Sequence, residues 1–197
     1  MRRVFIAALL TAALGLSAAA WGAAPVTLRV NDEFAVKNSH MLCAVQISKS
    51  LVPGKKLVAC FVANPKSGPV PKTYAVALTV NGEAVLAKVG TSGQIRIVTK
   101  RGGRPGPSAG PLARKGELFK VALGAALAVK SSAIRCGIVK QNFGGKKATT
   151  VGCFKVGANG KPRPNSFGIG ITDGGAFLVH FDADSKGSPV KIVQHGK

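Results

Sequence analysis

Four cysteines, three histidines and seven carboxylates are the scarce residues with which this 197-residue chain could do chemistry. The cysteines are the most regular of them. Cys43 and Cys60 stand seventeen positions apart, and so do Cys136 and Cys153, with the second pair offset from the first by 93. Structural zinc sites need close cysteine pairs, which this spacing lacks, so disulfides are the expected chemistry. Pairing Cys43 with Cys60 and Cys136 with Cys153 staples each unit internally; bonds between equivalent cysteines of the two units also respect the pattern. A nucleophilic cysteine with a histidine base is disfavoured, because every cysteine has a structural role and a counterpart.

The other candidates are thin. His40 is replaced by Ala133 at the equivalent position, His180 corresponds roughly to Lys88, and His195 lies near the C-terminus. Asp182 and Asp184, with His180 two residues before, alternate along a strand and share a face, yet calcium sites take six to eight oxygens and no calcium-loop spacing is present. Gly106-Pro107-Ser108-Ala109-Gly110 matches a nucleophile-elbow pattern, but that elbow needs a strand before it and a helix after it, and here it sits among Gly and Pro. Gly157 to Lys161 is followed by Pro162 where a phosphate loop needs Ser or Thr. Gly168-Ile169-Gly170 falls inside a strand pattern and is no dinucleotide fingerprint. No catalytic residue, metal or cofactor is therefore expected.

Charge is the strongest chemical statement in the chain. Lys and Arg number 28 against 7 Asp and Glu, a net charge of +21. Such an imbalance points to polyanions, whether phosphate-rich polymers, anionic glycans, nucleic acid or a cell-envelope surface. Lysine predominates, and as a compact point charge it favours diffuse attraction over bidentate recognition. The residues expected to carry it are Lys66 and Lys72 in one Pro-bearing loop, Lys161 and Arg163 in the equivalent loop, and the pairs Lys55-Lys56 and Lys146-Lys147. Most Phe residues lie in apolar strand contexts, so stacking platforms and sequence-specific nucleic-acid binding are not expected.

The elements that must hold these residues follow from the repeat. Residues 1–22 read as a signal peptide: Arg2-Arg3, an apolar run from Val4 to Leu16, and small residues ending in Ala20 and Gly22. A retained N-terminal anchor is the alternative; with cleavage, no transmembrane segment remains. Export suits paired cysteines, so a secreted or periplasmic bacterial protein is expected. The register of 93 extends beyond the cysteines. Ala35-Val36-Lys37 matches Ala128-Val129-Lys130, and Tyr74 matches Phe167. Alternating apolar runs bounded by Asn81-Gly82, Asp173-Gly174 and Gly144-Gly145 read as strands and hairpins. Leu118 to Lys130 is rich in Ala and Leu, but its register against Leu28 to Lys37 argues for strands.

The fold class is accordingly all-β: two tandem repeats of a small antiparallel β-sandwich or open barrel, each stapled by a cross-strand disulfide. Residues 23–99 form the first repeat domain, 100–116 a basic Gly/Pro-rich linker, and 117–197 the second repeat domain. One pseudo-symmetric body built by both copies is the other arrangement open to such a repeat. The oligomeric state is not encoded legibly. The function expected is an exported, non-enzymatic module that associates with polyanionic surfaces or polymers through basic loops. A structural or stress-related protein whose charge serves solubility is the alternative, and a hydrolase using Asp182 or Asp184 ranks below both.

Overall fold

The computed structural model describes residues 24–64, 68–103, 116–143, 146–182 and 190–196, and every regular element among them is a strand. The first repeat supplies β1 (Val26–Leu28), β2 (Glu33–Val36), β3 (Met41–Ile47), β4 (Lys56–Asn64), β5 (Gly68–Pro69), β6 (Tyr74–Thr79), β7 (Ala84–Val89) and β8 (Ile95–Arg101). The second supplies β9 (Leu118–Val121), β10 (Ala126–Val129), β11 (Ile134–Phe143), β12 (Lys146–Lys155), β13 (Ser166–Thr172), β14 (Gly175–Phe181) and β15 (Val190–Gly196). The Ala- and Leu-rich stretch is thus β9 and β10. Of the linker expected over 100–116, Lys100 and Arg101 belong to β8; residues 104–115, with Ser108, lie outside the described residues.

The strands make two sheets, in the orders β8-β7-β6-β4-β3-β2-β9, with β5 on β4, and β1-β10-β11-β12-β13-β14-β15. Neighbours run antiparallel except at one edge of each sheet, where β2 lies parallel to β9 and β1 parallel to β10. By the offset of 93, β1 is the counterpart of β9, and β2 of β10. Each repeat therefore sends its first strand to the edge of the other repeat's sheet. The crossing needs a sharp turn, made with a left-handed residue at equivalent positions: Asn31 (φ 72°) and Gly124 (φ 86°). Asparagine and glycine are the residues that adopt this conformation at least cost.

The two sheets face each other across a single core. Val45, Cys60, Val76 and Leu86 from one inner face and Ile138, Cys153, Ile169 and Leu178 from the other belong to one buried apolar cluster. A single sheet has one apolar face that must be covered, and two like sheets cover one another. The all-β, twice-stapled repeat stands as expected. The sandwich, however, is built by both copies together, each contributing one open sheet plus one exchanged strand.

In both repeats the cysteines are directly opposed in the ladder, Cys43 with Cys60 and Cys136 with Cys153. Their Cα atoms are 4.1 Å apart and both intra-repeat disulfides form, buried in the shared core. This separation belongs to the closely spaced class of antiparallel pair, about 4.5 Å. The outer faces are closed differently. Over the first sheet the loop after β3 folds back, placing Leu51 and Val52 on Leu57, Ala77 and Val85. Over the second sheet Phe154, Phe177, Val179 and Phe181 pack together. There Gly170 is required, since a Cβ on it would run into the Phe177 ring.

Candidate anion-binding cleft

A cleft of about 360 Å³ opens between the repeats, lined by Asn81, Gly82, Gly102 and Gly103 from the first and by Lys155 and residues 163–167 from the second. Its positions follow from local structure. Lys155 ends β12 and the chain leaves through a tight turn, in which Gly157 N donates to Lys161 O and Gly160 (φ 72°) takes the left-handed position. The returning strand brings Arg163 back beside Lys155, with Arg163 N donating to Lys155 O at 2.8 Å. The two cations are thus neighbours across a hydrogen-bonded pair. Opposite them, the hairpin between β6 and β7 carries Asn81 and Gly82, closed by Thr79 N donating to Glu83 O. This hairpin has three linking residues, Val80 to Gly82, where Asp173-Gly174 has two.

The wall of the cleft on the first repeat is largely main chain. Gly82, Gly102 and Gly103 all have positive φ, at 91°, 67° and 96°. A Cβ on Gly102 would meet the Phe167 ring at 2.7 Å, so the glycine lets that ring cross between sheets. Tyr74, the counterpart of Phe167, crosses the other way onto Gly196. Lys155 Cδ lies 3.1 Å from where a Cβ on Gly82 would sit, so the lysine stem runs across the turn that carries Asn81. The side-chain amide nitrogen of Asn81 is buried and has no hydrogen-bond partner. Glu83, packed against Gly103, does not line the cleft; Lys55 Nζ at 3.3 Å and Lys100 Nζ at 3.8 Å hold its carboxylate.

The pseudo-equivalent corner of the molecule is built on the same backbone and filled differently. Val62 and Val70 stand 93 residues before Lys155 and Arg163, and Val70 N donates to Val62 O at 2.9 Å just as Arg163 does to Lys155. Both valines pack on the shared core. Near them, His40 N donates to Asp173 Oδ1 at 2.9 Å, tying the repeats together. One corner is closed with valine; the other carries two cations beside a cleft.

The lysines singled out from the sequence are distributed unevenly. Arg163 lines the cleft and Lys161 is exposed at the tip of the adjoining turn. Lys72 is exposed on the first repeat in a left-handed conformation (φ 65°), the counterpart of Asn165 (φ 52°). Lys147 is exposed on β12. Lys55 pairs with Glu83. Lys56 Nζ donates to the carbonyl of Lys130 at 2.6 Å, joining the repeats, and burial lowers its pKa below the ordinary lysine value. Lys66, the side chain of Lys146 and the leader over 1–22 lie outside the described residues.

Of the remaining candidates, His180 and Asp182 hydrogen-bond at 2.7 Å, and the His180 ring packs on Phe167 with centroids 4.8 Å apart. Asp184 and the side chain of His195 lie outside the described residues. Among the described residues no three His, Cys, Asp or Glu side chains converge as a metal site, and no helix is long and apolar enough to cross a membrane. Lys155 was not singled out from the sequence, since it ends an ordinary strand pattern. The signal that finds it is the comparison with Val62. No protein-family model, curated protein or solved structure matches the chain.

Proposed function

We propose that this protein is an exported, non-enzymatic binding module that holds polyanionic polymers or surfaces by its positive charge. The observation that carries the reading is the pairing of Lys155 with Arg163 at a cleft with no carboxylate among the described residues that line it, in a chain whose 28 cations face only 7 acids. An exposed ion pair is worth about 0–1 kcal/mol, so scattered surface lysines give weak and salt-sensitive attraction. A cleft that partly excludes water strengthens each contact, and several such contacts with one polymer add up as avidity. Lys72, Lys147 and Lys161 add exposed charge of this weaker kind.

Buried disulfides in both repeats support a protein that works where thiols are oxidised, and the leader read from residues 1–22 agrees with export. The pairing of His180 with Asp182 beside Phe167 supports a structural role for that pair. The test is retention of the oxidised protein on immobilised heparin across a salt gradient, beside a variant carrying Lys72→Gln, Lys161→Gln and Arg163→Gln. The expected result is elution well above physiological salt, falling clearly in the variant. Elution of both at the same low salt overturns the reading and leaves the charge as a solubility device.

A further inference from the structure

We infer that the cleft between the repeats is a site for one sugar unit bearing a phosphate or sulfate ester, so that the polyanion recognised is an anionic glycan. This rests on the polyanion reading and names the ligand class of its strongest site.

Four observations carry the inference. The first is the departure from pseudo-symmetry: a backbone pair that holds Val62 and Val70 in one repeat holds Lys155 and Arg163 in the other, at the mouth of a cavity. Packing alone is served by the valines, so the cations answer another requirement. The second is the donor character of the lining. Lysine offers three N–H donors and arginine five, with no acceptor between them, which suits an ester oxyanion having several lone pairs.

The third observation is the Asn81 amide nitrogen, a buried donor without a partner at the turn crossed by the Lys155 stem. Buried donors are nearly always satisfied, and a ligand acceptor entering the cleft would satisfy this one. The fourth is size and surface. A volume of about 360 Å³ lies at the small end of ligand sites, roughly 300–1,000 Å³, and exceeds what a bare oxyanion fills. Among the described residues the exposed large apolar side chains are all aliphatic, and the Phe167 ring is taken up by Gly102 and His180. A nucleobase has no ring to stack on there, whereas a sugar needs none.

The experiment is calorimetric titration of the oxidised protein with glucose 6-phosphate, glucose 6-sulfate, glucose, inorganic phosphate and a dinucleotide, repeated on Asn81→Ala, Arg163→Val and Lys120→Gln. The two sugar esters should bind one per chain, with glucose, phosphate and the dinucleotide at least about tenfold weaker. Asn81→Ala should weaken ester binding roughly tenfold while leaving the melting temperature equal or higher, because it removes an unsatisfied buried group. A merely structural asparagine would lower the melting temperature instead. Arg163→Val, which copies Val70, should lose ester binding, and Lys120→Gln on distant β9 should keep it. Absence of ester binding, ester binding no tighter than phosphate, tighter binding of the dinucleotide, or unchanged affinity in Asn81→Ala each overturns the inference. If heparin is still retained in such a case, the polyanion reading survives and only the cleft assignment fails; if retention is lost as well, both fail.

Discussion

At the scale of single residues, what matters is how each charge is used. Lys55 and Lys100 are spent on Glu83, and Lys56 on the carbonyl of Lys130, so basic residues adjacent in sequence have different duties. The sequence presents Lys55-Lys56 as one basic pair; only the fold separates them from the exposed lysines. Lys56 also has a pH signature. Its folded pKa is depressed by burial below 10.5, the value for an unhindered lysine. Between the two values the unfolded chain holds more protons than the folded one, so the contribution of Lys56 to stability rises with pH across that window. The difference in melting temperature between the native protein and Lys56→Gln should therefore move in favour of the native protein as pH approaches 10.5. A difference constant with pH contradicts this account of the lysine. Asp32 is a buried carboxylate that accepts Arg29 N at 2.6 Å and Glu117 N at 3.0 Å.

At the scale of elements, Asp32 fastens the crossing between β1 and β2 to the start of β9, where the repeats exchange strands. Asp32→Ala orphans two backbone donors and should cost about 2–3 kcal/mol, read as a lower urea midpoint with an unchanged slope. A variant as stable as the native protein would show that the exchange is held by sheet pairing alone. The hairpins and disulfides of each repeat were legible in the sequence, because β3 with β4 and β11 with β12 are local pairings whose register is fixed by the cysteines and the turns. The parallel pairs β1–β10 and β2–β9 were not. Val26–Leu28 and Leu118–Val121 are three- and four-residue strands at equivalent places in the repeat, and nothing in either says which copy of the partner strand it joins. The long-range choice is made by the need of each open sheet to complete its edge and cover its inner face.

At the scale of the whole molecule, the repeats make one sandwich whose near-symmetry is broken at the corner that carries the cleft. Tyr74 on Gly196 answers Phe167 on Gly102, and the turns at Asn38 (φ 58°) and Ser131 (φ 56°) answer each other. The register of 93 makes such likenesses readable, and what the copies share includes the cysteines and basic residues in the Pro-bearing loops. The cleft lies instead where they differ, at Val62 and Val70 against Lys155 and Arg163, and a difference has meaning only once the two backbones are known to be equivalent. That equivalence supplies the most direct test of the central claim. The double variant Lys155→Val and Arg163→Val copies the first repeat into the second and should fold with both disulfides intact. The measurement is its heparin affinity against salt beside the native protein. By analogy with counterion release from nucleic acids, each cation lost from the contact lowers the slope of log affinity on log salt by about one. The account predicts a slope smaller by about two together with weaker binding at every salt concentration. A folded double variant with the native slope and affinity would contradict it, placing the binding elsewhere on the basic surface.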